Sequence, residues 1–240
     1  MSLEQLHGLP ALSNSMHNAI PEETLNSVRA TLARSYPTLA LHDNEGTSYI
    51  EGVIQLEHEG LCFESFLVHI DLPEGYPYEL PRAFEIGGRI PRNPDHHVNA
   101  DGSLCLGVPD QLWLEMKGHF EIGPFIERLL RPFLIGISEK LRTGKWLGAE
   151  RSHGANGICE FYGTFIDTAA PAHVMALLRL LQKKDLKGHW LCPCGRGKVL
   201  RHCHGHSIRD LASKGLPKQL FAHALKCIEF DVSLRLSTQP

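Results

Sequence analysis

In the string PEETLNSVRATLARSYP, apolar Leu25, Val28 and Leu32 recur at helical spacing. That spacing predicts a helix opened by Pro21 with Glu22 and Glu23 and closed at Tyr36-Pro37. Alternation takes over in residues 47–57 (TSYIEGVIQLE) and 61–72 (LCFESFLVHIDL), the period of half-buried strands, and His58-Glu59-Gly60 between them predicts a hairpin turn. A third short strand is expected over residues 83–86, after the proline-bounded turn GYPYELP. Helical spacing returns at Phe125, Ile126, Leu129, Leu130, Phe133, Leu134, Ile137 and Leu141, with Pro132 placed to kink or split that helix. The Gly-rich stretch KWLGAERSHGANG interrupts regular structure before residues 158–166, and AHVMALLRLLQKK (172–184) predicts another helix ending by Gly188. The order is that of an α+β chain: an N-terminal helix, an antiparallel meander, then helices, then a cysteine-rich tail. Residues 1–17 show little apolar periodicity and read as a flexible arm; the expected division lies between 18–170 and 171–240. No internal repeat and no low-complexity segment is present.

Composition narrows the class. Hydrophobic residues make up 42% and charged residues 21%, a balance that predicts a folded globular chain and excludes a disordered one. No apolar run approaches the ~20 residues of a bilayer span, and the first twenty residues lack a signal-peptide pattern, so a cytoplasmic location is expected. In that compartment the seven cysteines stay reduced, which directs attention to metal binding and catalysis rather than disulfides. The net charge of −3 is unevenly spread: residues 182–240 hold eleven Lys/Arg against four Asp/Glu. A basic tail suits an acidic partner surface or nucleic acid, and equally a solvated helix.

Candidate chemistry centres first on Cys105, in the turn-rich string DHHVNADGSLCLGVPDQLW after an Asp101-Gly102 turn signal. A nucleophilic thiol needs access and nearby donors or cations, and His96 and His97 lie nine and eight residues upstream. A lone cysteine also reads as a small buried hydrophobe, and on these residues alone that reading stands beside the catalytic one.

The string nevertheless resembles the active-site segment of ubiquitin-conjugating enzymes. In that family a His-Pro-Asn triplet precedes the catalytic Cys, with the Asn eight residues before it and a Trp eight residues after. Here Trp113 stands eight residues after Cys105, GSLCL stands where the family has Gly-x-x-Cys-Leu, and YPYELPRAFEI resembles the family's Tyr-Pro-x-x-x-Pro turn. The resemblance covers roughly residues 21–145 and implies the ubiquitin-conjugating-enzyme fold, with a thioester formed at Cys105. The triplet positions depart from the family: they read Asp95, His96 and His97, so the Asn is absent. In the family that side chain supports the loop and the oxyanion of thioester aminolysis. His97 is expected to supply the substitute N–H donor, with His96 as second candidate and Asp95 as an assisting residue; a loop-bracing role for both histidines stays open.

The extension WLGAERSHGANGICEFY, with Gly148, Glu150, His153 and Gly154, resembles the bacterial branch of the family found in anti-phage cyclic-oligonucleotide (CBASS) operons. That resemblance implies a protein substrate: the carboxyl terminus of a cGAS-like nucleotidyltransferase, attached to a target to prime signalling. Glu150 and His153 would then assist proton transfer, structural bracing being the alternative.

A second cluster, CPCGRGKVLRHCHG, brings Cys192, Cys194, Cys203 and His204 within thirteen residues, a donor set suited to tetrahedral Zn²⁺ in a closed structural site. His202 and His206 flank it as alternative ligands. The string is similar to the SEC-C zinc motif of the bacterial secretion ATPase, from its Cys-Pro-Cys-Gly-x-Gly-Lys start to its Cys-His-Gly end. With Lys198, Arg201 and Arg209 nearby, protein docking is the expected use; no interleaved aromatics point to nucleic-acid stacking. Cys62, Cys159, Cys227, Trp113 and Trp146 are expected in the core.

Two competing readings stand beside the transferase. A binding adaptor of the same fold is favoured by the missing Asn and opposed by the glycine-flanked Cys105. A cysteine peptidase would use Cys105, a histidine and Asp95, but neighbours in one loop are poorly placed for a triad, in which the base touches sulfur while the acid orients the base.

Overall fold

In the computed structural model, the chain is described at residues 19–44, 46–146, 152 and 154–237. The arm expected over residues 1–17, and the assisting candidates Glu150 and His153, lie outside the described residues. In chain order the elements are α1 (Glu22–Ser35), β1 (Leu39–Asn44), β2 (Thr47–His58), β3 (Leu61–Leu72), β4 (Arg82–Glu85), a 3₁₀ turn (Pro94–His96), α2 (Pro109–Met116), α3 (Ile122–Phe125), a π turn (Ile126–Leu130), α4 (Arg131–Thr143), α5 (Gly154–Gly163), α6 (Pro171–Leu181), a second 3₁₀ turn (Leu200–His202), α7 (Gly205–Ser213) and α8 (Lys218–Ser237). Two compact units result, one from residues 19–106 and 116–146, the other from 107–115 and 152–237 as described.

The first unit is α+β. Its four strands form an antiparallel meander in the order β1-β2-β3-β4. Alternate positions of β2 and β3 (Ile50, Ile54, Leu56, Phe66, Val68, Ile70) are buried, and at roughly 1.5–3 kcal/mol per buried large apolar side chain this row fixes which face turns inward. Helix α1 packs its Leu25, Val28 and Leu32 side beside β1 and α3, and α4 packs against β2. Strand β1 was not among the expected elements. At Pro132 the helix is not broken: the Arg131 N–H reaches back to the Ile126 carbonyl, a π turn that takes up the absent proline N–H and the crowding of its ring against the preceding turn.

The second unit is helical and larger than the expected tail. Tyr162, Ile166, Val174, Leu177, Leu178, Leu200, Ile208 and Leu211 share one core with Cys192 and Cys194. The compact division therefore falls between 146 and 152 rather than at 171, because α5 buries Ile158, Cys159, Phe161 and Tyr162 in the same core as α6. Helix α2 belongs here too, with Val108 buried and Trp113 partly buried. The chain thus enters this unit two residues after Cys105. Of the cysteines expected in the core, Cys159 is buried, Cys227 is half-buried with Sγ 3.5 Å from His223 Nε2, and Cys62 is exposed by the β2–β3 turn. Among the described residues no helix is long and apolar enough to cross a membrane.

A buried polar pair ties α2 to α5. The Tyr162 hydroxyl donates to Asp110 Oδ1 at 2.5 Å, and Asp110 is only 1% exposed. Burial raises the Asp110 carboxyl above its ordinary 3.8, against the opposing pull of that hydrogen bond. A raised folded-state pKa gives stability that is complete below the unfolded value and lost as pH climbs through the folded one. Asp110→Asn is accordingly expected to gain stability relative to the parent as pH rises from the ordinary carboxyl range towards neutrality. Urea melts at both ends of that range check it, and a pH-independent difference counts against the buried-carboxyl account.

Candidate active site and candidate metal centre

Residues 97–105 fold back on themselves as a short hairpin. The Cys105 N–H donates to the His97 carbonyl at 2.7 Å, the Asn99 N–H donates to the Ser103 carbonyl at 2.8 Å, and Val98 bridges Leu104 between them. Val98 and Leu104 are buried, and the Leu104 N–H bonds to the Ala83 carbonyl at 2.7 Å, so the hairpin is fastened to β4. Its tip is set by polar chemistry. Asp101 Oδ1 accepts from the Ser103 N–H (3.0 Å) and hydroxyl (2.6 Å), Asn99 Nδ2 donates to Ser103 Oγ (3.0 Å), and Gly102 takes φ +86°. Cys105, opposite His97, is only partly buried.

The two histidines are held differently. His97 sits at φ 54°, a left-handed conformation histidine tolerates better than most residues. Its ring is buried, 4.3 Å from that of Trp146 and 6.4 Å from that of Phe133, centroid to centroid. His96 is half-buried. Asn93 Oδ1 accepts from the His96 backbone N–H at 3.1 Å and lies 2.7 Å from His96 Nδ1. An amide oxygen only accepts, so His96 Nδ1 carries hydrogen and its neutral ring presents a lone pair at Nε2. Asp95 is exposed within the 3₁₀ turn. Residues 95–97 and Cys105 are thus brought to one loop. Asn93, which caps that turn, and Trp146, which covers the His97 ring, had no spacing rule to announce them; the Asn-Pro start of a turn is the one signal the sequence offered for Asn93.

The cysteine cluster converges as its spacing predicts. One ligand atom from each of Cys192, Cys194, Cys203 and His204 lies within 4.8 Å of every other. Cys194 and Cys203 sulfurs are 3.5 Å apart, and His204 Nδ1 is 3.4 Å from both Cys192 and Cys203 sulfurs. Tetrahedral zinc with its usual bond lengths has ligand–ligand edges of about 3.5–3.8 Å, so these four side chains could hold a metal ion and fit zinc. Of the flanking histidines, His202 accepts from Arg201 Nε at 3.0 Å and stands outside the cluster, as does His206. Burial pushes the Cys192 thiol up to about 11. For Cys194 the same burial is outweighed by hydrogen bonds from the Arg196 N–H and from Cys203, Cys192 and His204, which bring it down to about 7. On the far side of His204, Nε2 lies 2.9 Å from Asp167 Oδ2, and that hydrogen bond, with Arg196 beside it, lowers the Asp167 carboxyl.

Gly195 shows why the loop requires glycine. It adopts φ +77°, and a Cβ there would lie 2.4 Å from His173 Nε2. Gly195→Ala is expected to cost about 1–3 kcal/mol from backbone strain alone. It should lower the melting midpoint of the second unit, and an unchanged midpoint would show that the loop relaxes freely.

No protein-family model matches this chain, and no curated protein matches it significantly.

Proposed function

We propose that the chain is a ubiquitin-conjugating-like cysteine acyl transferase whose first unit has the ubiquitin-conjugating-enzyme fold. The observation that carries this reading is the hairpin that sets a partly exposed Cys105 opposite His97 at the end of an antiparallel meander. The Cys105 thiolate attacks an activated carboxyl terminus, forming a sulfur–acyl bond as the activating group leaves. An amine then attacks the thioester, an amide forms, and the thiolate departs. His96, with Nδ1–H committed to Asn93, offers Nε2 to take the amine's proton, while His97 supplies an N–H toward the developing oxyanion. The substrate proposed is the carboxyl terminus of a cGAS-like nucleotidyltransferase, primed in this way for anti-phage signalling. The metal proposed is structural zinc on Cys192, Cys194, Cys203 and His204, since four protein ligands leave no open position for substrate. Zinc supplies folding free energy to the second unit and takes no part in acyl transfer.

Co-expression of the chain with such a nucleotidyltransferase tests the reading: a covalent adduct that dithiothreitol removes is expected, and non-covalent binding alone would favour the adaptor. That second reading draws on the burial of the His97 ring against Trp146 and Phe133, which suits bracing. Single-turnover kinetics separate the two roles of His97. His97→Ala should leave charging of Cys105 in place and slow discharge to an amine by about 10²–10³-fold, the usual loss for one oxyanion donor. His97→Asn, which tolerates the left-handed backbone and restores an N–H donor, should recover most of it. Equal losses in charging and discharge would assign His97 to bracing.

A further inference from the structure

We propose that Asp167 is the positioning residue of the metal centre, selecting His204 among the neighbouring histidines and Nδ1 as its metal-binding atom. This rests on the zinc reading above and deepens it.

The two ring nitrogens of His204 face different chemistry. Nδ1 points at the sulfurs of Cys192 and Cys203, 3.4 Å from each, while Nε2 meets Asp167 Oδ2 at 2.9 Å. An ionised carboxylate only accepts, so Nε2 carries the hydrogen and the lone pair of the neutral ring lies at Nδ1, on the side of the thiols. A metal ligand needs that arrangement, and a carboxylate behind the ring makes the ligand nitrogen more basic and fixes its orientation.

Asp167 is placed for this by structure remote from the cluster. It follows Ile166, which is fully buried, in the turn that closes α5, and it takes φ 54°, a conformation uncommon for a side-chain-bearing residue. The turn is closed by Ile166 and Thr168 N–H groups donating to the Gly163 carbonyl. The His204 side chain is 14% exposed and that of Asp167 61%, so the pair joins a mostly buried ring to a carboxylate at the surface. As an exposed ion pair Asp167 would contribute little to stability; its effect is on the ligand. Arg196 Nη2 lies 3.4 Å from the same carboxylate oxygen. His202, one of the two flanking alternatives, has Nε2 occupied by Arg201.

The test is zinc competition on the full chain with a chromogenic chelator, with far-ultraviolet circular dichroism confirming the fold of each variant. Asp167→Asn is expected to weaken zinc binding by about 10–100-fold, and Asp167→Glu to recover part of that loss. Arg196→Ala, which keeps the backbone N–H against Cys194 and loses only the guanidinium beside Asp167, should weaken zinc binding less than Asp167→Asn. Long-range ¹H–¹⁵N spectra of the zinc-loaded parent should show His204 bound through Nδ1 with a hydrogen retained at Nε2, a signature that a purely structural turn residue would not control. Equal zinc affinity in the parent and Asp167→Asn, or coordination through Nε2, overturns the inference while leaving the zinc site standing. A parent chain that binds no zinc overturns both.

Discussion

If the proposed transfer to a cGAS-like nucleotidyltransferase holds, Cys105→Ala is expected to leave no covalent adduct, a loss of more than about a thousandfold in rate because no other group replaces a covalent nucleophile. Cys105→Ser is the more informative partner. A serine at the same hairpin position converts the thioester into an oxygen ester, so adduct accumulates slowly, survives dithiothreitol and is removed by alkali. The hairpin's backbone bonds run through the Cys105 N–H and the neighbouring Leu104, and both substitutions keep them. The peptidase reading predicts the opposite phenotype, with conjugate accumulating in the alanine variant.

Removal of the proposed zinc is expected to have an effect of comparable size on folding. Structural zinc sites of this donor type contribute apparent free energies of about 10–16 kcal/mol near neutral pH, whereas a domain's net stability is on the order of 5–15 kcal/mol. Chelation should therefore unfold the second unit or leave it marginal, even though it has a helical core of its own. Three of the four ligand residues are cysteines, and metal binding displaces their protons, so zinc affinity should fall as pH drops below about 7. Elemental analysis is expected to give about one zinc per chain, and calorimetry with and without chelator should show loss of the transition assigned to that unit. A metal-free second unit that melts unchanged would remove zinc from the account.

How much of this was legible depended on periodicity. Helix α1, the hairpin of β2 and β3, strand β4 and helix α6 stand close to where their apolar spacing predicts. Strand β1 escaped because its burial pattern has one buried position followed by mostly exposed ones, too weak an alternation to register. Helix α5 escaped because Gly154 and Gly157 read as loop, although in the helix the bulk at Ile158, Phe161 and Tyr162 outweighs their poor propensity. Helix α8 had a signal in Leu220, Phe221, Ala224 and Ile228 at helical spacing, overshadowed by the cysteine run before it.

The sites divide in the same way. The four residues within thirteen that could hold a metal ion could be picked from spacing alone, and His97 and Cys105, singled out by the resemblance, lie in one loop. Asp167 could not, because thirty-seven residues separate it from His204 and only the packing of α5 brings them together. Nor could the tautomer of His96, which depends on Asn93, or the aromatic cover over His97, which comes from Trp146, three residues past the end of α4. Local chemistry travels with sequence spacing; orientation of a ring depends on partners that tertiary structure supplies.

Peptide mapping by mass spectrometry tests the proposed acyl transfer most directly. The full chain is co-expressed with a cGAS-like nucleotidyltransferase and quenched in acid without reductant. The peptide spanning residues 93–117, whose one cysteine is Cys105, should carry the partner's carboxyl-terminal residues and lose them on treatment with dithiothreitol. That peptide recovered only in unmodified form, while the partner is conjugated as efficiently by Cys105→Ala as by the parent, would contradict it.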